Sequence, residues 1–285
     1  MKRNLLQTLV EDPKALSVRF QPIFRLSPEG NQVDAMEGLI RGPAGTNFER
    51  ADVLFDYVRR KRAESAMDRS CIAAICKAVA DLPPNARVNL NVHASTLGEN
   101  ADFVEFFRRQ ARSLALPLER FTLEIVEHAP NYNVPGLTCN LRALRDLGVR
   151  IALDDVGLGT SNYRMILDCH PDYFKVDAYF VEGISRDVDR RAVVRSVMCL
   201  AKEMNAEVVA EGAHSQADIS MLSRMGVELF QAHLLCPPLL PQELCARGFL
   251  DVQTNAIPAG RDANAEGFKP IRRKLGGAAG EPVCQ

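Results

Sequence analysis

The sequence predicts an α/β protein: a single closed (β/α)8 barrel. Three observations carry that prediction. Short β-like stretches alternate with helical stretches about eight times along the chain, the pattern of a closed barrel rather than an open sheet. A length of 285 residues with 47% hydrophobic content is long for one ordinary domain but normal for a barrel with a large core. Within the strands, apolar and polar residues alternate, so one parity faces coating helices and the other points into the barrel.

The elements follow in order. Residues 1–17 are charged and amphipathic and read as a leading helix. VRFQPIFRL (18–26) and DAMEGLIRG (34–42) read as strands, and the short turn-rich linker SPEGNQ makes them a candidate hairpin. Two helical segments follow in 51–81, around Asp68. ARVNLNVHA (86–94) is a strand, 101–114 a helix, and FTLEIVE (121–127) a strand. A helix over 134–147 stops at Gly148 and leads into the strand RIALDDV. A short helix at 160–168, the strand DYFKVDA, a long helix at 187–204 and the strand EVVAEG (207–212) come next. The helix QADISMLSRMG, the strand VELFQAHLL and the helix PQELCARGF complete the barrel. One barrel domain is expected over 1–250. The Gly-, Pro- and Ala-rich stretch 251–285 is expected to be a disordered tail.

A net charge of -1 gives no general electrostatic grip on nucleic acid or membrane. No apolar run reaches the length of a bilayer span, and the N-terminus has no signal-peptide core. The eight cysteines, at 71, 76, 139, 169, 199, 236, 245 and 284, show no CxxC or zinc-like spacing. They are expected to be reduced thiols in a cytoplasmic protein.

The chemistry lies in the polar parity. Asp154 and Asp155 sit where their strand runs out, and adjacent carboxylates call for a cation between them. If the apolar parity meets the helices, the barrel mouth holds Glu37, Asn91, Glu124, Asp154, Lys175, Asp177, Glu211 and Gln231. An unpaired buried carboxylate costs roughly several kcal/mol, so such a set needs cations. Hard oxygen donors with no Cys favour Mg²⁺ or Mn²⁺ over Zn²⁺. Two metals in a carboxylate-lined mouth suit phosphodiester hydrolysis, with Lys175 stabilising charge and Arg41 holding a phosphate. Taken singly, Asp154–Asp155 also reads as a helix N-cap and turn, and Asn91 as a partner for backbone groups.

These motifs together resemble the EAL-domain phosphodiesterases of cyclic di-GMP signalling. FQPI is similar to the family's YQPI, MEGLIR to EAL-x-R with Gly38 for the alanine, and LNVHASTL to the VNVS segment. LEIVE is similar to LEITE, ALDDVGLG to ALDDFGTG, FKVD to the K-I-D element, AEGAHS to AEGVET and FQAHLLCPPL to QGYLFGRPL. The similarity spans residues 15–245 with the motifs in order.

The resemblance implies a modified, TIM-like barrel whose first strand is antiparallel, and hydrolysis of cyclic di-GMP to linear pGpG. It implies two Mg²⁺ or Mn²⁺ ions held by Glu37, Asn91, Glu124, Asp154, Asp155 and Glu211. Lys175 would assist the water, with Asp177 beside it, and Glu211 is also placed as a base. Gln21, Arg41, Asp68 and Gln231 would bind the nucleotide, Asp68 at a guanine, and Glu127 would brace the loop after Asp155. That loop would lie near a homodimer interface. Control is expected from a protein partner or from expression. Val156, Leu158, Val126, His93 and His214 depart from the family's motifs, all in loops or around the ligands rather than among them. They keep open a second reading: a catalytically weak or inactive receptor or interaction module with the same pocket.

Overall fold

The computed structural model describes residues 15–28, 30–126, 132–158 and 162–248. The expected leading helix up to Lys14, the 251–285 tail, Glu127 and Gly159 lie outside the described residues. Eight strands close into a barrel in sequence order. They are β1 (Ser17–Ser27), β2 (Gly30–Arg41), β3 (Val88–His93), β4 (Phe121–Val126), β5 (Arg150–Val156), β6 (Tyr173–Val176), β7 (Glu207–Glu211) and β8 (Leu229–Gln231). β1 runs antiparallel to both β2 and β8, and every other pairing is parallel. The hairpin read in the sequence is therefore the only antiparallel turn of the wall among the described residues, and β1 closes the ring against β8.

Ten helices are described: α1 (Ala51–Arg60), α2 (Glu64–Val79), α3 (Ala94–Glu99), α4 (Phe103–Ser113), α5 (Val134–Arg145), α6 (Asn162–Cys169), α7 (Ala178–Val181), α8 (Val188–Glu203), α9 (Gln216–Met225) and α10 (Pro241–Ala246). The short α3 and α7 were not read in the sequence. Both start directly at a strand end, where one helical turn is too short to show a period. Beyond β8 the chain returns to the wall, with Phe20 and Leu239 exchanging backbone bonds of 2.7 and 2.9 Å.

The outward parity is apolar, as expected: Val88, Leu90, Val92, Leu123, Ile125, Phe174 and Val176 are buried in the main core under the helices. The inward parity is layered. Ile23, Ala35, Ala152, Tyr173, Val209 and Leu229 form a small separate apolar cluster. Below it, Arg25 meets Asp34, Glu207 and Glu228 at 3.2, 2.7 and 3.1 Å. Arg87 joins Asp34 there and donates to the Tyr173 hydroxyl at 3.0 Å. The ion network ties the lower ends of five strands together, and the polar groups of the mouth stand at the opposite end.

Gly38 has a packing reason. A Cβ there would lie 2.7 Å from Ile75 Cγ2 and 3.0 Å from its Cδ1, so Ile75 of α2 already fills the space of the missing methyl. Gly38→Ala should destabilise the protein by about 1–3 kcal/mol through overpacking. In an Ile75→Ala background the same change should become neutral or stabilising. Urea denaturation of the four proteins in that cycle checks this, and a cost that does not depend on residue 75 refutes it.

Candidate metal and catalytic site

Each strand places one polar residue at the mouth: Gln21, Glu37, Asn91, Glu124, Asp154, Lys175, Glu211 and Gln231, from β1 to β8 in turn. Lys175 is the hub, only 1% exposed. Its Nζ lies 2.6 Å from Glu124 Oε2, 2.8 Å from Glu211 Oε1, 3.3 Å from Asp154 Oδ1 and 3.4 Å from Glu37 Oε2. The amides complete the ring. Asn91 Nδ2 donates to Glu37 Oε1 at 2.6 Å, and Gln231 Nε2 to Glu37 Oε2 at 2.5 Å. Gln231 also donates to Gln21 Oε1 at 3.2 Å, and Gln21 to the Cys236 carbonyl at 3.0 Å.

Asp154 and Asp155 reach the same site although neighbours in a strand point to opposite faces. Between the pairs Leu153–Phe174 and Val156–Val176, two residues of β5 (Asp154 and Asp155) oppose one of β6 (Lys175), a bulge. Asp155 sits in it at φ 52°, a left-handed conformation that Asp tolerates better than most residues. One carboxylate oxygen each from Asp154, Asp155 and Glu211 lies within 4.8 Å of the others, a spacing compatible with oxygen ligands around one hard cation.

The other expected residues stand around this ring. Asp177 follows directly on β6, which ends at Val176: its backbone is still extended, its charge reaches Asp155, and its Oδ1 caps α7 by accepting from the Tyr179 backbone N–H at 2.7 Å. Asp68 is buried on α2. It accepts from the His93 backbone at 2.9 Å and the Thr96 hydroxyl at 2.5 Å, and faces His93 Nδ1 at 2.9 Å. A contact with guanine would have to displace those donors. Arg41, half-buried, ends β2 and donates to the Ile40 carbonyl at 3.2 Å. The sequence reading passed over Asn89, whose Nδ2 donates to Glu124 Oε1 at 2.6 Å. Its inward parity was the available signal. The seven described cysteines are free thiols, and burial pushes Cys76 up to about 12 and Cys236 up to about 11, so these two are inert.

One ammonium cannot balance four carboxylates, two buried and two half-buried. Burial raises the Glu37 carboxyl, but Lys175 and the amides of Gln231 and Asn91 outweigh it and hold Glu37 below its ordinary value. Burial, then the charge of Glu37, pushes Glu124 well up despite Lys175. Burial takes Glu211 to about 8 against the pull of Lys175, with Asp154 and Glu37 adding to the rise. Asp155 rises to about 6, through burial first and then Asp154 and Asp177. Burial alone would lower Lys175, but Asp154, Glu124, Glu211 and Glu37 together hold it well above its usual range. The site thus has too few positive charges for its acids.

The donor set fits a divalent metal on a direct observation. Asp154 Oδ1 is buried without a hydrogen-bond donor. Lys175 Nζ is 3.3 Å away, an ion contact that does not align as a hydrogen bond. A buried bare oxygen beside two further carboxylates is an acceptor suited to a cation.

Comparison with known proteins decides the family. The EAL domain family model matches residues 3–238. The chain belongs to the EAL domain family. A cyclic di-GMP phosphodiesterase of Pseudomonas aeruginosa, NbdA, is 27% identical over 244 residues, covering 84% of this chain and 30% of that protein. This chain therefore spans less than a third of that relative's length. Among solved structures, Klebsiella pneumoniae BlrP1 in a calcium and cyclic di-GMP complex is 25% identical, with TM-score 0.69 over 85% of this chain and 59% of that one. A standalone EAL protein of Vibrio cholerae, bound to cyclic di-GMP, is 23% identical with TM-score 0.68, covering 79% of this chain and 93% of that one, and supports the fold. The EAL barrel is thus a modified TIM barrel with its first strand reversed. Among the described residues, no helix is long and apolar enough to cross a membrane.

The charge shortage has a measurable sign. Glu211 has an ordinary value of 4.5 and a folded value of about 8, so folding favours its protonated form. Its stabilising contribution is complete below pH 4.5 and lost as pH rises through 8; Asp155 acts likewise between 3.8 and about 6. Protein stripped with chelator should lose melting temperature as pH rises from 5 to 8.5, and Glu211→Gln should flatten that decline. A melting temperature that climbs over this range would contradict the assignment.

Proposed function

We propose that this EAL domain hydrolyses cyclic di-GMP to linear pGpG with two divalent cations, Mg²⁺ or Mn²⁺. The observation that carries this reading is the ring of acids around Lys175 with its bare Asp154 oxygen. Glu37, Asn91, Glu124, Asp154, Asp155 and Glu211 would hold the ions. The ions, when bound, supply an acidified water and a clamp on the non-bridging phosphate oxygens.

The chain's own residues do the rest. Lys175, fixed between Glu124 and Glu211, keeps a positive charge at the place where negative charge grows on the scissile phosphate. Glu211, at the mouth 2.8 Å from the Lys175 ammonium, is the carboxylate assigned to accept a proton from the attacking water. Gln231 donates to the Glu37 carboxylate and to Gln21 Oε1, so Gln21 braces the amide that orients Glu37. Arg41, at the end of β2, offers a guanidinium fork for a phosphate. Membership of a family whose relatives are named cyclic di-GMP phosphodiesterases supports the substrate class.

A second reading, nucleotide binding without turnover, is favoured by the loop after Asp155. Val156 and Leu158 stand there in place of the family's Phe and Thr, and Leu158 is exposed.

Incubation with cyclic di-GMP and Mn²⁺ or Mg²⁺, followed by chromatography, should yield pGpG. Glu37→Gln should abolish it, and Lys175→Met should lower kcat by about 10²–10³-fold. Calorimetric binding of cyclic di-GMP with no product under either metal would replace the first reading with the second.

A further inference from the structure

The apolar layer beneath the mouth contains an amide that its neighbours do not require. Asn89 lies on the inward parity of β3, one residue pair deeper than Asn91, among Ile23, Ala35, Ala152, Tyr173, Val209 and Leu229. It is 5% exposed and sends its side chain up to Glu124, where Nδ2 donates to Oε1 at 2.6 Å. Glu124 is fully buried, and its second oxygen faces Lys175 at 2.6 Å. Glu124 is therefore held at both oxygens, by an amide from below and an ammonium from the side. A carboxylate in an apolar cavity has several rotamers, and a fixed donor on one oxygen selects among them and leaves the other directed into the site.

The price of this arrangement shows on the same side chain. Turning Nδ2 towards Glu124 leaves Asn89 Oδ1 buried with no hydrogen-bond partner among the described residues. Asn89 lines a cavity of about 10 Å³ shared with Arg87, Thr122, Tyr173 and Lys175, which is room for one water. An apolar residue would avoid that penalty and fill the layer. The polar choice makes sense if the bond to Glu124 is what the position supplies.

We propose that Asn89 is a positioning residue for metal binding: it orients the Glu124 carboxylate so that the oxygen opposite the amide is presented to the cation. The inference rests on the metal-dependent reading above, and it concerns a residue outside the ligand set. Asn89 touches neither ion nor substrate, and it acts through Glu124.

The test is Mn²⁺ binding to the whole chain by calorimetry, without substrate, alongside melting temperature, kcat and the KM for cyclic di-GMP. Asn89→Leu keeps the branched shape at a larger volume and removes the donor; Asn89→Asp keeps the shape and turns the donor into an acceptor. Both should weaken Mn²⁺ binding by about 10–100-fold, lower kcat at a fixed low Mn²⁺ concentration, restore it in excess Mn²⁺, and leave KM within about twofold. Should Asn89→Leu not fold, Asn89→Asp decides alone. Mn²⁺ affinity within twofold of the unaltered protein, with or without a fall in melting temperature, overturns the proposal and leaves Asn89 a structural group. Failure of the unaltered protein to bind Mn²⁺ would instead overturn the metal-dependent reading itself.

Discussion

The structure depends on one buried ammonium. Lys175 comes from a four-residue strand and touches carboxylates from four other strands: β2, β4, β5 and β7. Removing the ammonium alone would leave buried acids unpaired, which costs about 3–5 kcal/mol even when a single pair is broken. Keeping it still leaves more acids than cations. The barrel mouth is thus under electrostatic tension, relieved in part by protonating Glu124 and Glu211. Divalent cations relieve the same tension without protons, so the affinity of such a site for hard metals comes from the cost of leaving it without them.

The fold makes this arrangement possible by layering. Parallel strands with matched register bring one residue per strand to each level of the interior. The ion network around Arg25 and Arg87 closes the lower end, and the apolar layer of Ile23, Val209 and Leu229 separates it from the mouth. The separation keeps the two charged levels apart in a medium where charges interact strongly. β1 has to run backwards for this scheme, yet its inward residues, Ile23 in the apolar layer and Gln21 at the mouth, obey the same alternation as the parallel strands.

Much of this was legible in the chain because alternation along a strand is a local property. The period of two put Glu37, Asn91, Glu124, Lys175, Glu211 and Gln231 on one face before any coordinates, and the structure joins those residues in one network with Gln21 and Asp154. Asp155 was named from its pairing with Asp154, but the means of bringing it inward was not legible. Strict alternation turns one of two adjacent residues away, and only the bulge at Leu153–Val156 with a left-handed Asp155 overcomes that. The same local rule carries no information on where a strand stops and a helix cap begins, so the capping of α7 by Asp177 was not legible. Asn89 escaped notice for a different reason. An uncharged amide gives no electrostatic alarm, and its value lies in a partner, Glu124, 35 positions away.

Departures from the family's motifs then differ in weight according to which face they occupy. Gly38 sits inside the family's signature, yet it lies on the outward parity between Glu37 and Leu39. What it changes is the contact with Ile75, and the neighbouring Glu37 keeps its bonds to Asn91 and Gln231. Val156 and Leu158 differ, because they follow immediately on the bulge that turns Asp155 inward. The next residue after Val156, Gly157, has φ 101° and packs so closely against Phe180 that a Cβ would lie 2.5 Å from the ring. The backbone there is held from outside by Phe180 and from inside by the strained Asp155. A side-chain change in that segment acts on the position of a carboxylate, whereas the change at Gly38 acts only on packing. The substitutions after Asp155, rather than the altered signature, are therefore the ones that bear on a site carboxylate.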